Sequence, residues 1–207
     1  MDEVQLAATR GARAVLELGC GTGRLLAQVD APVRLGIDVA AGMLAHARAR
    51  GLAVARADAH ALPFADGTFD AIVAGKGVFR YLEAAVALAE CARVLRPGGR
   101  LALHQYGART WTVRGAIRAA RGGARLDGRR PELHELADVD ELVGPARAAG
   151  LRPRALRRYR SVRIWPYLLE IPDAVDRRAP VQLWSHLVAV LDKPGGGGVN
   201  GTGRGAD

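Results

Sequence analysis

Short apolar runs alternate with helical patterns along the first hundred residues of the chain. Five of these runs have the length of strands, and they lie at residues 14–18, 33–37, 52–57, 69–74 and 101–103. Helical composition follows the first run from residue 25, the second at residues 40–50 and the fourth at residues 83–95. Strands that alternate with helices favour a parallel sheet with helices on both faces. The pattern therefore predicts a doubly wound α/β domain.

The second half of the chain adds one helix and two strands to this prediction. Residues 133–149 have a helical pattern that ends at Gly150, and residues 154–162 and 186–191 have the composition of a sixth and a seventh strand. We expect a mostly parallel seven-stranded sheet in one domain, residues 1–193, because 207 residues give room for one ordinary core. Residues 105–132 and 163–180 match neither pattern and are predicted insertions, and the glycine-rich tail 194–207 is predicted to be disordered.

Composition excludes several classes of protein. Cys20 and Cys91 are the only cysteines, too few for a disulfide framework or a four-ligand zinc site, so we expect no metal. The chain starts without a basic segment followed by an apolar run, and no apolar stretch approaches the roughly 18 residues of a membrane helix. These features predict a cytoplasmic protein that has no contact with a membrane.

The charge of the chain is +9 and its basic excess lies mostly in residues 104–207. Only Lys76 and Lys193 among the 30 basic residues are lysines, and the chain is also rich in alanine and glycine. A GC-rich genome produces such a bias, so the arginines are weak evidence for a nucleic-acid partner. A solvated surface is the favoured interpretation, and a basic stripe for RNA is the alternative.

Three glycines follow the first predicted strand, in Gly19-Cys20-Gly21-Thr22-Gly23. A glycine turn between a strand and a helix lets backbone N–H groups approach a ligand, because no Cβ blocks them. The dinucleotide fingerprint needs a sixth-position glycine where Arg24 stands, and no Gly-Lys-Ser/Thr of a P-loop follows. The turn therefore predicts a nucleotide-like ligand of another kind.

The segment Glu17-Leu18-Gly19-Cys20-Gly21-Thr22-Gly23 resembles the first motif of class I methyltransferases that depend on S-adenosylmethionine (SAM). Further matches stand in the family's order at Asp38, Met43, Asp58-Ala59, residues 61–70 and residues 93–99. The resemblance covers roughly residues 13–104 and, more weakly, the closing strand. It implies SAM as cofactor, S-adenosylhomocysteine (SAH) as product, and the family's Rossmann-like fold.

The resemblance also implies roles for individual residues. Asp38 would bind both ribose hydroxyls, Met43 would pack against adenine, and Asp58 with the Ala59 N–H would read the edge of the base. Strand-end capping is the alternative role for the two aspartates. The remaining residues that we assign to the cofactor site are Glu17, Gly19, Cys20, Gly21, Thr22, Gly23 and Lys76, although a solvated loop lysine is the alternative for Lys76.

The methyl acceptor of such a fold lies beyond the carboxyl ends of the central strands. His104 and Tyr106, after the fifth strand, are therefore candidate catalytic bases, with a buried strand-end histidine as the alternative for His104. Aromatic side chains that follow the fourth strand or lie in the insertions are candidate walls of the acceptor pocket: Phe79, Tyr81, Trp111 and Trp165. An aromatic residue of the core is the alternative role for each.

These features predict methyl transfer to the O, N or C atom of a small molecule, in secondary or cofactor metabolism, by a monomer or homodimer. Only about a dozen residues precede the first strand, so the two insertions are the candidate cap over the substrate, and a cap from a partner chain is the alternative. Two alternatives stay open. One is an RNA methyltransferase that uses the arginine-rich half, and the other is a SAM-binding module without transferase activity.

Overall fold

One mixed sheet organises the computed structural model, which describes residues 2–75, 77–106, 139–164, 167–171 and 186–195. Eight strands belong to it in these ranges, in the order β3-β2-β1-β4-β5-β8-β6-β7. They are β1 Ala14–Leu18, β2 Val33–Asp38, β3 Val54–Arg56, β4 Phe69–Ala74, β5 Leu95–Tyr106, β6 Arg152–Ile164, β7 Tyr167–Ile171 and β8 His186–Asp192. Strands β1 to β5 are parallel, so their carboxyl ends meet at one edge.

The last strands complete the sheet with a change of direction. Strand β8 lies between β5 and β6 and runs antiparallel to both. Together with the five parallel strands, β6 and β8 confirm the predicted doubly wound, mostly parallel sheet of seven strands. An eighth strand, β7, pairs antiparallel with the far end of β6, where Ile164 faces Tyr167 in register. The sequence analysis assigns this segment to an insertion, and a five-residue run beside unmatched sequence gives too little pattern to show a strand.

Neighbouring residues of a strand point to opposite sides of the sheet, and all five residues of β1 are buried. Helices therefore cover both faces of the sheet. The helices of the described residues are α1 Asp2–Ala8, α2 Ala41–Ala49, α3 Ala84–Val94 and α4 Asp140–Ala148. Helices α3 and α4 pack over a core that contains Leu16 and Leu101, whereas α1 packs over Val15 and Ala102. A fully buried leucine stabilises the fold by roughly 1.5–3 kcal/mol.

The helix predicted after the glycine turn is wrong: a single 3₁₀ turn, Leu26–Gln28, stands there. Val33 lies beside Ala14, so the chain must return along the full length of β1 within residues 24–32. Strand β1 is five residues long, or about 16 Å. An α-helix rises only about 1.5 Å per residue and would need about 11 residues to span it, so a tighter and more extended link replaces the helix.

Helix α1 is an element that the sequence analysis does not identify. Its Asp2 pairs with Arg24 at 2.5 Å, and its buried Gln5 donates a hydrogen bond to the Ala74 carbonyl at the end of β4. The helix therefore contacts both the segment after the glycine turn and the strand beside β1. No helix among the described residues has the length and apolar character needed to cross a bilayer.

Several predictions fall wholly or partly outside the described residues. These are most of the insertions 105–132 and 163–180, the first part of the predicted helix 133–149, and the tail from residue 196. Lys76, Trp111 and Trp165 lie outside them too, and the structure describes Tyr106 only as the last residue of the β5 backbone. Their assigned roles stay predictions.

Candidate functional site

A cavity of about 570 Å³ opens at the carboxyl ends of β1 to β4. Its walls come from the segments that follow these four strands. The lining residues are Gly19, Gly21, Ile37, Asp38, Val39, Ala40, Met43, Ala57, Asp58, Ala59, Gly77, Val78, Tyr81 and Leu82. Seven of the predicted site residues are among them: Gly19, Gly21, Asp38, Met43, Asp58, Ala59 and Tyr81.

The glycine turn forms one wall of the cavity, and its glycines are needed for different reasons. Gly19 and Gly21 have φ angles of +58° and +54°, which side chains rarely adopt. A Cβ on Gly19 would lie 2.4 Å from Val78, whereas no described residue other than its chain neighbours has an atom within 4 Å of a Cβ on Gly21. Gly19 therefore allows the turn to pack against the segment after β4, and Gly21 leaves the space above it open for a ligand.

Asp38, at the end of β2, connects two neighbouring segments of the site. Its Oδ2 accepts the backbone N–H of Gly21 at 2.8 Å, and its Oδ1 accepts that of Ala40 at 2.8 Å. Each carboxylate oxygen has a further lone pair that remains available to a hydroxyl group. Asp38 thus fixes the glycine turn and presents two acceptors to the cavity.

Asp58 follows β3 and presents a second carboxylate. Its Oδ1 accepts both the His60 backbone N–H at 2.9 Å and the His60 ring Nδ1 at 2.7 Å. The backbone hydrogen bond, followed by the ring hydrogen bond, lowers the pKa of Asp58 below its ordinary value. The carboxylate is therefore ionised at neutral pH. The buried Ala59 lies next to it, and no described residue accepts its backbone N–H.

The other residues assigned to the glycine turn do not line the cavity. Cys20 is buried with its Sγ against Gly36, and burial raises the pKa of its thiol to about 12, which fits the expectation that it contributes only its backbone. A Cβ on Gly23 would lie 2.1 Å from Leu52, so this glycine allows close packing instead. Thr22 is half-buried in the turn.

Glu17 lies beneath the site as a buried carboxyl group on the α1 face of β1. Burial raises its pKa to about 8, against the opposing effects of the Leu26 backbone N–H and of Arg24. Its Oε1 would lie 3.5 Å from a Cβ on Gly75, which follows β4, and its Oε2 has no partner among the described residues. An acid that ionises near neutrality thus lies between the ends of two strands that form the site.

The residues predicted to contact the methyl acceptor differ in their position relative to the cavity. Tyr81 is exposed at the cavity, whereas Phe79 is 1% exposed, lies in the core and does not line the described cavity, which favours its alternative role as an aromatic residue of the core. Of the four residues in the 3₁₀ turn Val78–Tyr81, only Phe79 is buried, which the sequence pattern does not reveal. His104 is fully buried on β5 and does not line the cavity, which favours its alternative role as a strand-end histidine.

Part of the cavity wall and the hydrogen-bonded His60 are not among the residues predicted from the sequence. The missed apolar residues flank the predicted ones: Ile37, Val39, Ala57, Val78 and Leu82. Their positions beside the strand-end aspartates and after β4 are the signal that would have identified them. His60 was missed because its second contact, with the backbone of Glu83, joins segments that are far apart in the chain.

The arrangement suits a nucleoside. The apolar side chains form a slot for a flat base, Asp38 offers acceptors to a vicinal diol, and Asp58 with the Ala59 N–H offers one acceptor and one donor to the edge of the base. Space is left above Gly21 where a side chain would otherwise stand. Among the described residues, no group of three or more His, Cys, Asp or Glu side chains is arranged to hold a metal ion.

Residues 16–103 match the family model described as a methyltransferase domain. A demethylmenaquinone methyltransferase of Thermus thermophilus is 42% identical over 113 residues, 50% of this chain and 51% of the relative. A malonyl-[acyl-carrier protein] O-methyltransferase of Methylococcus capsulatus is 40% identical over 119 residues, 52% of this chain and 43% of the relative. The chain thus spans about half or less of the length of these relatives.

Solved structures share the fold over nearly the whole chain. A SAM-dependent methyltransferase of Thermotoga maritima, described as a possible histamine N-methyltransferase, has a TM-score of 0.64 at 18% identity and covers 93% of this chain and 88% of its own. The [4+2]-cyclase SpnF has a TM-score of 0.63 at 20% identity, with 94% and 82% covered. At these identities the likeness is one of fold. The match at residues 16–103, which begins in β1 and ends in β5, makes this part of the chain similar to a methyltransferase domain.

Proposed function

We propose that this chain binds SAM in the cavity at the carboxyl ends of β1 to β4 and transfers its methyl group to a small molecule. The observation that carries this proposal is the junction of Asp38 with the glycine turn. The carboxylate that would accept the ribose hydroxyls also bonds to the backbone of Gly21, above which the cavity is open.

The described residues suggest how the cofactor is held. Asp38 and Asp58 lie at the ends of adjacent strands, so the first would hold the sugar while the second holds the base. Met43 and Leu82 line the cavity and would flank the flat ring. SAM supplies, when bound, a methyl group activated by the sulfonium, and the protein contributes mainly position and the exclusion of water.

The acceptor is proposed from the site and from the relatives. Tyr81 lies exposed at the cavity, next to the carboxyl end of β4 where an acceptor approaches. Both relatives named above carry names of methyltransferases, one for demethylmenaquinone and one for malonyl-[acyl-carrier protein]. We therefore favour a small organic acceptor that is methylated on O, N or C. The predicted insertions 105–132 and 163–180 are the candidates for acceptor specificity, and His104 and Tyr106 are the candidates for a catalytic base.

Two measurements test this proposal in sequence. Calorimetry with SAM and SAH comes first, because it does not depend on knowing the acceptor. We expect both ligands to bind, with one site per chain. Radiolabelled methyl SAM is then incubated with the protein and either the low-molecular-mass fraction or the RNA fraction of a cell extract. Label that enters the first fraction supports the proposal, and binding without transfer to either fraction would leave a SAM-binding module.

The RNA fraction is included because of a second groove. It has a volume of about 440 Å³ and lies between α1 and β6, where it is lined by Arg10, Arg100, Arg154 and Arg157. Arg154 pairs with Asp192, which reduces the local positive charge. Transfer of label to RNA that weakens steeply as salt rises would replace the small-molecule proposal.

A further inference from the structure

The imidazole of His60 joins two walls of the cavity. Its Nδ1 lies 2.7 Å from Oδ1 of Asp58, and its Nε2 accepts the backbone N–H of Glu83 at 2.9 Å. Because Nε2 is the acceptor, the neutral ring carries its proton on Nδ1 and donates it to the carboxylate. Both nitrogens are thus used, and the orientation of the ring is fixed from two sides.

The first contact determines how Asp58 faces the cavity. Its Oδ1 receives two hydrogens from His60, one from the ring and one from the backbone. No described residue donates to Oδ2, and the side chain is 58% exposed in the cavity wall. One oxygen is therefore held by protein, and the other is left for a donor on the ligand.

The second contact reaches the opposite wall. Glu83 precedes α3, and the segment immediately before it contains Tyr81 and Leu82, which line the cavity. The segments after β3 and after β4 are far apart in the chain, and Leu62 also joins them through Glu90 and Arg93 of α3. The ring of His60 adds a link at the slot itself, between Asp58 and the residue that follows Leu82.

We infer that His60 is a positioning residue that directs Oδ2 of Asp58 toward the exocyclic amine of a purine, and so makes the site selective for a 6-amino over a 6-oxo base. This inference rests on the proposed function, because it takes the ligand to be an adenosyl compound. A 6-amino group donates to a carboxylate oxygen. A 6-oxo group presents a second acceptor at the same place, which is repulsive.

Substitutions of His60 separate its two contacts. His60→Asn retains a side-chain N–H near the position of Nδ1, so it can donate to Asp58 but does not reach Glu83. His60→Gln retains an acceptor near the position of Nε2, so it can reach Glu83 without the short contact to Asp58. His60→Ala removes both contacts and leaves the backbone hydrogen bond to Oδ1. His46→Ala is the matched control, because His46 is an exposed histidine on α2.

The readouts are calorimetric affinities for SAH and for S-inosyl-L-homocysteine, with the melting temperature of each variant. We expect the wild type to prefer SAH. We expect His60→Ala and His60→Gln to lose about five- to tenfold of SAH affinity, within the net contribution of one ordinary hydrogen bond, and less than about twofold for the inosyl compound. His60→Asn should keep the preference, and His46→Ala should match the wild type.

A double variant adds a readout that a purely structural histidine would not move. In the Asp58→Ala background, His60→Ala should change SAH affinity by less than about twofold, because the partner through which His60 acts is gone. An equal loss of affinity for both nucleosides, or a full effect in the Asp58→Ala background, would overturn the inference while leaving SAM binding intact. A wild-type protein that binds no SAH would instead overturn the proposed function, and the inference with it.

Discussion

The carboxylate of Asp38 accepts the backbone N–H of Gly21 at 2.8 Å, which joins the end of β2 to the turn after β1. Parallel neighbours make this contact direct, since Leu18 lies beside Ile37 in register and the next residues of both strands emerge at the same edge. The backbone of Cys20 adds a hydrogen bond to the Ile37 carbonyl at 2.9 Å. The acid and the turn therefore form one unit before any ligand arrives.

Asp38→Ala is expected to remove SAH binding while the domain stays folded. The variant loses both the acceptors for the ribose and the anchor of the glycine turn, so we expect at least about a 100-fold loss of affinity, or about 2.7 kcal/mol. Stability should fall by only about 1 kcal/mol for the lost hydrogen bonds. Calorimetry and thermal unfolding check both values. Asp30→Ala, an exposed aspartate of the preceding loop, should keep wild-type affinity.

The site residues that the sequence predicts are those that directly follow a predicted strand. Each strand of the parallel core brings its own following residues to the carboxyl edge, so Gly21, Asp38 and Asp58 needed only correct strand ends to be brought together. Strands β1 and β4 stand where the apolar runs predict them, and β2 begins at the predicted residue and ends one residue later, at Asp38. These strands were predictable because buried parallel strands have continuous apolar sequences.

The rest depended on contacts between distant residues. The link after Gly23 is too short for a helix because of the length of β1 and the register of Val33, which no local pattern contains. Phe79 points into the core because Val78–Tyr81 is a 3₁₀ turn, and α1 is held by partners at Arg24 and Ala74. Such contacts are properties of the assembled sheet.

Gly21→Ala separates backbone strain from loss of the binding space. Gly21 and Gly11 have φ angles of +54° and +74°, and in the described part of the chain no residue beyond their direct neighbours has an atom within 4 Å of a Cβ on either. Both alanine variants should therefore lose about 1–2 kcal/mol of stability from the left-handed backbone alone. Only Gly21 lines the cavity, so only Gly21→Ala should lose SAH affinity, by at least about tenfold or 1.4 kcal/mol. Equal affinities of the two variants would argue against a ligand above the turn.

Lys193 tests a structural role for one of the two lysines. Its Nζ donates to the carbonyls of Ala92 and Leu95, both at 2.7 Å, at the C-terminal end of α3. A cation there satisfies free carbonyls and complements the helix dipole. Lys193→Met should lower the free energy of unfolding by about 1–2 kcal/mol without a change in SAH affinity. Arg154→Met, which removes only an exposed ion pair, should change it by less than about 0.5 kcal/mol in the same urea titration.

The buried carboxyl group of Glu17 gives the fold a dependence on pH. Burial holds its pKa at about 8 in the folded chain, against an ordinary value of 4.5. Between these two values the folded chain keeps a proton that the unfolded chain has released, so the folded state binds more protons. Its stability contribution is therefore fully present below pH 4.5 and is lost as pH rises toward 8, by up to about 1.4 kcal/mol per pH unit.

Glu17→Gln removes this titration and keeps a side chain of nearly the same shape. The variant should gain stability relative to the wild type as pH rises from 5 to 8. In this range the wild type loses stability because its unfolded chain releases the Glu17 proton and its folded chain does not, whereas the glutamine does not titrate. Urea unfolding at unit steps of pH measures the difference, and titrations at pH 4 and below supply the internal control, since the acid is protonated in both states there. A difference that stays constant from pH 4 to 8 would contradict the prediction, because it would mean that Glu17 releases its proton at the same pH in the folded and the unfolded chain.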